Sequence, residues 1–308
     1  MNGSTGVKSA LPLRAALLMA ASSSLFGMMA IAIRYASHQQ HPFEIAFFRC
    51  LFATAILGAI GARACRVEWP KLSRRELWIA LGTGLALAVH FASWISSLSY
   101  TSVASSLVIV NTTPLWVALL SPFLSHDRVR RGTWLGMAVS VLGCIVIGAA
   151  DARSSGGGFE LTGSALWGDF LALIGAWMAS LYMLAGRRLR AVLTLFPYVT
   201  LCYGTAACFL LLFALFSGAP LAGHAPATYA WLVALAVVPQ VIGHTSYNYS
   251  LRYVSAALTS VVTLGESVGA ALLAWIFLDE TPGTLQLVGG VVVIAGVLLA
   301  LRAERTQA

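Results

Sequence analysis

Polar residues that could bind a substrate or carry a proton interrupt two apolar stretches of the chain. Asn111-Thr112-Thr113-Pro114 lies in the middle of one stretch, and Leu264-Gly265-Glu266-Ser267 lies in the middle of another. Pro114 lacks a backbone N–H and can kink a helix, which frees a carbonyl that lipid cannot satisfy. We therefore expect Asn111, Thr113 and Pro114 to face protein or a wet cavity.

Glu266 is the strongest candidate for function, because a carboxylate in an apolar span is costly unless it is paired, protonated or hydrated. It could carry a coupling proton or attract the amino group of a substrate. Alternatively, it could form a hydrogen bond that only fixes helix packing, which the Gly265-x-x-x-Gly269 spacing would suit. One helical face carries Thr259, Thr263 and Glu266, and such a stripe favours a path lined by polar side chains over an isolated contact.

Two aromatic and polar stripes occur elsewhere at helical spacing. One comprises Thr83, His90, Trp94 and Ser97, and the other comprises Gln240, His244, Tyr247 and Asn248. If they face each other, they make an amphipathic cavity whose rings pack on apolar groups or sit over a cation. Histidine can also take up a proton near neutral pH. The alternative is that each histidine only bonds to a neighbouring helix.

Further candidates have a weaker basis. Arg49 could hold a substrate carboxylate through two hydrogen bonds, although pairing with a protein carboxylate or reaching outward to the interface is the favoured interpretation. Trp177 and Tyr182 are expected in the cavity wall, and Asp169 is expected to complement a helix N-terminus. The five cysteines show no paired spacing, so we predict no metal site, and we expect no cofactor and no catalytic residues.

The elements that position these residues are membrane-spanning helices. Hydrophobic residues make up 59% of the 308-residue chain and charged residues only 10%, which excludes a soluble domain of ordinary size. A span needs about 20 mostly apolar residues. The predicted spans are 15–35, 43–61, 77–98, 103–124, 132–149, 164–185, 195–216, 228–250, 255–278 and 284–301. The predicted fold is therefore an all-α integral membrane protein with ten transmembrane helices.

The distribution of positive charge predicts the orientation. The formal charge of +8 comes mostly from Lys and Arg in alternate connections, and only Arg34 and Arg153 fall on the opposite side. This pattern predicts both termini in the cytoplasm and argues against nucleic-acid binding. The short polar tails suit a bacterial inner membrane. A cleaved signal peptide ending near Ala30-Ile31-Ala32 is the rival interpretation of the first span, but it would leave an odd helix count.

An offset of 153 residues superimposes the fourth and fifth spans on the ninth and tenth without a gap. It aligns Tyr100 with Tyr253, Ser102 with Ser255, Ala104 with Ala257, Asp127 with Glu280, Gly136 with Gly289 and Gly143 with Gly296. We predict one membrane domain made of two five-helix repeats, residues 1–151 and 152–308. Five is odd, so the repeats must be inverted, as in many secondary transporters.

The repeat and its motifs resemble the EamA family of the drug/metabolite transporter superfamily. The resemblance rests on Gly168-Asp169-Phe170-Leu171-Ala172-Leu173, the stretch from Leu264 to Trp275, and Arg49 within Phe47-Phe48-Arg49; Ser267 departs from the proline common in that family. It implies a ten-helix secondary transporter with a central cavity, commonly an exporter of amino acids or related metabolites.

These observations lead to a working hypothesis and two rivals. The hypothesis is a carrier, not an enzyme, that exports amino acids or similar small amphipathic metabolites by alternating access, with protons as a candidate coupling ion. The first rival is an intramembrane enzyme that uses His and Glu as acid and base, although no His-Glu-x-x-His motif and no phosphate-binding loop is present. The second is a translocator of hydrophobic drugs or lipids with the same architecture.

Overall fold

The computed structural model describes residues 40–125, 127–154, 163–278 and 281–305. All regular structure in these ranges is helical. Eight of the described helices are long and apolar enough to cross a bilayer, so the chain is a multi-pass membrane protein. The predicted first span, residues 15–35, lies outside the described ranges.

The helices follow the predicted spans closely, although three spans consist of more than one segment each. They are α1 (Pro42–Glu68), α2 (Arg74–Ser97), α3 (Val103–Val110), α4 (Thr113–Leu124), α5 (Arg131–Ser154), α6 (Gly163–Val192), α7 (Leu195–Phe216), α8 (Pro226–Leu235), α9 (Thr245–Ser250), α10 (Ala256–Thr263), α11 (Glu266–Leu278) and α12 (Thr284–Arg305). A π-helical segment, Ala236–His244, joins α8 to α9.

Helix α1 extends beyond the predicted end of its span at residue 61. The helix accommodates Arg66 in its last turn, where a cation complements the helix dipole. The Glu68 carboxylate accepts a hydrogen bond from the backbone N–H of Thr194 at 2.8 Å. The Trp69 indole donates to the carbonyl of Pro197 at 3.1 Å. The end of α1 is thereby fixed to the start of α7.

Both spans that carry the central polar motifs are broken, and the breaks are 153 residues apart. Helix α3 ends at Val110 and α4 begins at Thr113, while α10 ends at Thr263 and α11 begins at Glu266. At each break the backbone tightens to an i→i−3 hydrogen bond, from Thr112 to Ile109 at 3.0 Å and from Gly265 to Val262 at 3.1 Å. Ser267, in place of a proline, does not prevent the second break.

Side chains satisfy the backbone groups that the first break would leave unpaired. Pro114 cannot donate to the carbonyl of Val110, and the Thr113 hydroxyl donates to it instead at 2.6 Å. The Asn111 amide donates to the Ser267 hydroxyl at 3.1 Å, which links the two breaks directly. The polar motifs that are far apart in sequence therefore meet inside the helical bundle.

Two pairs of helices related by the 153-residue offset pack against each other in antiparallel directions. In the α5–α12 pair, a Cβ added to Gly136 would lie 2.5 Å from the carbonyl oxygen of Gly296, and one added to Gly143 would lie 2.8 Å from that of Gly289. Glycine is needed here because the backbones approach too closely for any side chain. Helix α1 packs on α7 in the same antiparallel sense.

Candidate functional site

A cavity of about 100 Å³ lies at the junction of the two broken spans. Its wall contains residues of both broken spans together with residues of α1, α2, α6 and the π-helical and α9 region. Ten of the thirteen predicted site residues line it: Arg49, His90, Trp94, Asn111, Thr113, Tyr182, His244, Tyr247, Asn248 and Glu266. The structure therefore brings together polar residues that the sequence places on six different spans.

Arg49 provides the positive charge of the cavity. Its side chain is only 1% exposed, so it does not reach outward to the interface. The guanidinium carbon lies 4.4 Å from the centre of the Phe91 ring, and Nη2 donates to Oε1 of Gln240 at 3.2 Å. Among the described residues, Nε and Nη1 of Arg49 have no hydrogen-bond partner. Two nitrogen atoms of a buried guanidinium therefore have N–H groups without a partner among the described residues.

Glu266 provides the carboxyl group of the same cavity. It is the first residue of α11, so its position is set by the break at Leu264-Gly265. The ion pairs among the described residues are Arg187 with Asp127 and His224 with Glu44, and neither includes Glu266. The offset equates Glu266 with Thr113, which also lines the cavity. The carboxylate is therefore present in only one of two equivalent positions.

The aromatic stripes form the side wall of the cavity. The imidazole of His90 stacks on Trp94 at an interplanar angle of 2°, and its Nδ1 lies 2.8 Å from the carbonyl oxygen of Gly175. His244 contacts the rings of Tyr182 and Tyr247 edge-on, with centroids 6.2 and 6.4 Å apart. These contacts place flat apolar surfaces beside the two charges.

A hydrogen-bond network holds the aromatic wall in position. The Asn248 side chain is fully buried and bonds to the hydroxyls of Tyr182 and Tyr203. The Tyr203 hydroxyl lies 3.3 Å from that of Thr245. Such a network restricts the rotamers of the tyrosines and keeps the cavity open.

Three predicted site residues lie outside the cavity wall. Gln240 is fully buried behind Arg49 and orients its guanidinium. Pro114 shapes the break through its backbone. The Trp177 ring packs edge-on against Trp116 at 5.5 Å.

Several residues that line the cavity could not be predicted from the sequence. Val110, Ala179, Met183 and Leu251 give no signal, because they are ordinary apolar residues of a span. Thr263 was noted only as part of a stripe, yet it lies in the wall. Within the described ranges, no group of three His, Cys, Asp or Glu residues is arranged to hold a metal ion.

The sequence profile of the EamA-like transporter family matches the chain twice, over residues 13–149 and 166–302. The chain belongs to this family. The second match begins and ends 153 residues after the first, which is the offset found between the repeated motifs. The resemblance of the motifs to the EamA family is thereby confirmed.

Relatives named as transporters align with this chain over most of their length. An uncharacterized transporter of Archaeoglobus fulgidus is 26% identical over 294 residues, which cover 92% of this chain and 96% of that protein. The pseudopaline exporter CntI of Pseudomonas aeruginosa is 24% identical and aligns over 94% of this chain and 96% of that protein. A protein of Streptantibioticus cattleyicolor described as "Probable terminal-alkyne amino-acid exporter" is 29% identical over 261 residues, 82% of each chain.

These relatives and the family identify a transporter and not an enzyme, so the hypothesis of intramembrane acid-base catalysis is not supported. A crystal structure with 22% sequence identity superimposes with a TM-score of 0.77 and covers 96% of this chain and 99% of that one. That similarity establishes the fold.

Proposed function

We propose that the protein is a secondary transporter that exports amino acids or similar small amphipathic metabolites across a bacterial inner membrane by alternating access. The observation that carries the proposal is the cavity between two helix breaks 153 residues apart. Discontinuous spans at corresponding positions of two repeats form the substrate sites of many secondary transporters.

Alternating access requires two halves that can exchange conformations, and we propose that residues 1–151 and 152–308 are inverted five-helix repeats. The antiparallel packing of α5 on α12 and of α1 on α7 supports this division, because the offset relates the two helices of each pair. The two family matches support it independently. Ten spans follow if residues 15–35 form the first.

The proposed orientation has both termini in the cytoplasm. Arg75, Arg187, Arg188 and Arg252 surround a depression of about 700 Å³ at one end of the bundle. Arginines are retained on the cytoplasmic side of bacterial inner membranes, so we assign this end to the cytoplasm.

The cavity wall favours a substrate with polar and apolar parts. Charges from Arg49 and Glu266 lie beside the rings of Trp94, Tyr182 and Tyr247. Two relatives are named as exporters of pseudopaline and of a terminal-alkyne amino acid. The second name refers to a substrate that carries amino and carboxyl groups.

The proposal is tested by counterflow of radiolabelled amino acids and nucleosides in proteoliposomes, with and without a pH gradient. Ala179→Trp places an indole in the cavity wall, and Leu119→Trp adds the same ring at a position on α4 that is 54% exposed. We expect exchange of at least one amino acid by the wild type and by Leu119→Trp, and little by Ala179→Trp. Undiminished exchange by Ala179→Trp would show that the substrate does not pass through this cavity.

The same vesicles distinguish the proposed function from the rival hypothesis, a translocator of hydrophobic drugs. Tetraphenylphosphonium carries delocalised charge and has no carboxylate to engage Arg49. Flux of this cation without flux of any amino acid would replace the proposal with the drug-translocator hypothesis.

A further inference from the structure

Among the described residues, the cavity wall carries one guanidinium and one carboxyl group, supplied by different halves of the chain, and neither belongs to an ion pair. Arg49 lies on α1 and keeps two donors without partners among the described residues. Glu266 lies on α11, and the ion pairs of the described residues do not include it. Burial of an isolated charge in a membrane protein is expensive, so each charge calls for a partner.

The two charges also break the symmetry of the repeat. The offset of 153 residues equates Arg49 with Cys202 and Glu266 with Thr113. Residues needed only for packing the two halves would be expected in similar form in both. Here the helix breaks and the serine caps at Ser102 and Ser255 are shared, whereas the charges are not. A ligand whose two ends differ accounts for this asymmetry.

Other unpartnered polar atoms occur in the same wall. The indole N–H of Trp94 is buried, and it has no hydrogen-bond partner among the described residues. The side-chain oxygen Oδ1 of Asn248 also has no partner among the described residues, while its Nδ2 donates to the hydroxyls of Tyr182 and Tyr203. The wall therefore offers neutral hydrogen-bonding capacity in addition to the charges of Arg49 and Glu266, as a polar ligand would require.

We infer that the substrate is a zwitterion of the α-amino-acid type, with its carboxylate on Arg49, its ammonium group on Glu266 and its side chain against Trp94, Tyr182 and Tyr247. Arginine suits the carboxylate because its planar donors can form two parallel hydrogen bonds. This inference rests on the proposed function and adds that the protein binds both charges of the substrate simultaneously. A substrate with one charge would leave the opposite charge of the cavity buried and unpaired.

The inference is tested with ligands that differ only in charge. Counterflow is measured in proteoliposomes for L-leucine and L-phenylalanine. It is compared with their amides, which lack the carboxylate, and with 4-methylpentanoate and 3-phenylpropionate, which lack the amino group. We expect each single-charge compound to exchange at least tenfold more slowly than its parent amino acid. Equal exchange of either type would overturn the inference.

Variants of the two charged residues provide a reciprocal test. Arg49→Gln should slow exchange of the amino acids strongly and exchange of the amides little, and Glu266→Gln should do the same with the carboxylates that lack an amino group. Arg49→Lys keeps the charge and should retain part of the exchange. If either Gln variant slows every compound by the same factor, the residue is structural and the inference fails.

A binding measurement on the wild-type protein tests the inference even if a variant inserts poorly into the membrane. Each amino acid should raise the melting temperature of the purified wild-type protein, and the single-charge compounds should not. Exchange of nucleosides alone would refute the zwitterion while leaving transport intact. Exchange of none of the panel would refute the proposed function itself.

Discussion

Two carboxyl groups within the helical bundle should respond in opposite ways to the same substitution. Glu44 is fully buried at the start of α1 and lies 2.8 Å from Nε2 of His224. Glu266 lines the cavity, and the ion pairs of the described residues do not include it. Replacing each carboxylate with glutamine changes the charge and almost nothing of the shape, so the contrast between the two variants isolates the role of the partner.

Glu44→Gln should reduce stability and leave transport per folded molecule unchanged. Breaking a buried ion pair costs about 3–5 kcal/mol. His224 remains 15% exposed and can be hydrated, so we expect a smaller loss of about 1–3 kcal/mol. The measurement is the melting temperature of the purified protein in detergent, with His224→Gln as the matched variant that removes the other partner.

Glu266→Gln should leave stability unchanged or increase it, because it removes from the membrane interior a carboxyl group that has no ion-pair partner among the described residues. Transport should fall, since a hydrogen bond to a charged group contributes about 1.5–3 kcal/mol, equivalent to about a 10- to 100-fold change in flux. If Glu266 also carries the coupling proton, stimulation of flux by a pH gradient should disappear.

Counterflow and melting temperature measured on the same preparations decide between the roles of Glu266. Normal flux with normal pH dependence in Glu266→Gln would refute both a coupling and a binding role. A drop in melting temperature as large as that of Glu44→Gln would show that Glu266 fixes helix packing instead.

Further predictions concern the helix breaks and the contact between α5 and α12. Gly143→Leu should destabilise the protein by about 1–3 kcal/mol, because its Cβ would overlap the carbonyl oxygen of Gly289; a melting temperature equal to that of the wild type would contradict the close contact. Thr113→Val should cost about 1–3 kcal/mol by leaving the carbonyl of Val110 unpaired, and unfolding in denaturant measures this loss. Asn111→Leu removes the link between the breaks and should slow counterflow more than it lowers the melting temperature; the reverse order would indicate a packing role.

Much of the fold could be predicted because hydropathy and helix-breaking residues act locally. Pro114 and Gly265 mark the two breaks, and the offset between them follows from the repeat. The span predicted over 43–61 is shorter than helix α1, which continues to Glu68, because Arg63 and Arg66 reduce hydropathy without ending a helix. Its true end depends on contacts with Thr194 and Pro197, which are distant in sequence.

The candidate site was harder to predict wherever a residue depends on an irregular backbone or on its neighbours. Gln240 was assigned to the same face as His244 on the assumption of α-helical periodicity. Pro239 lies within a π-helical segment that changes this periodicity, and Gln240 is buried against Arg49 instead. Trp177 packs on Trp116, and periodicity cannot identify the neighbouring helix that a ring will contact.

Alternating access is tested most directly by the accessibility of one cavity residue from both sides of the membrane. Ala179→Cys would be introduced with Cys208→Ser, which removes the one exposed cysteine among those of the described residues. We predict that a membrane-impermeant methanethiosulfonate reagent modifies residue 179 when added to either side of oriented vesicles, and that a transported amino acid slows both reactions. Modification from one side only, unaffected by any substrate that the protein exchanges, would contradict the account.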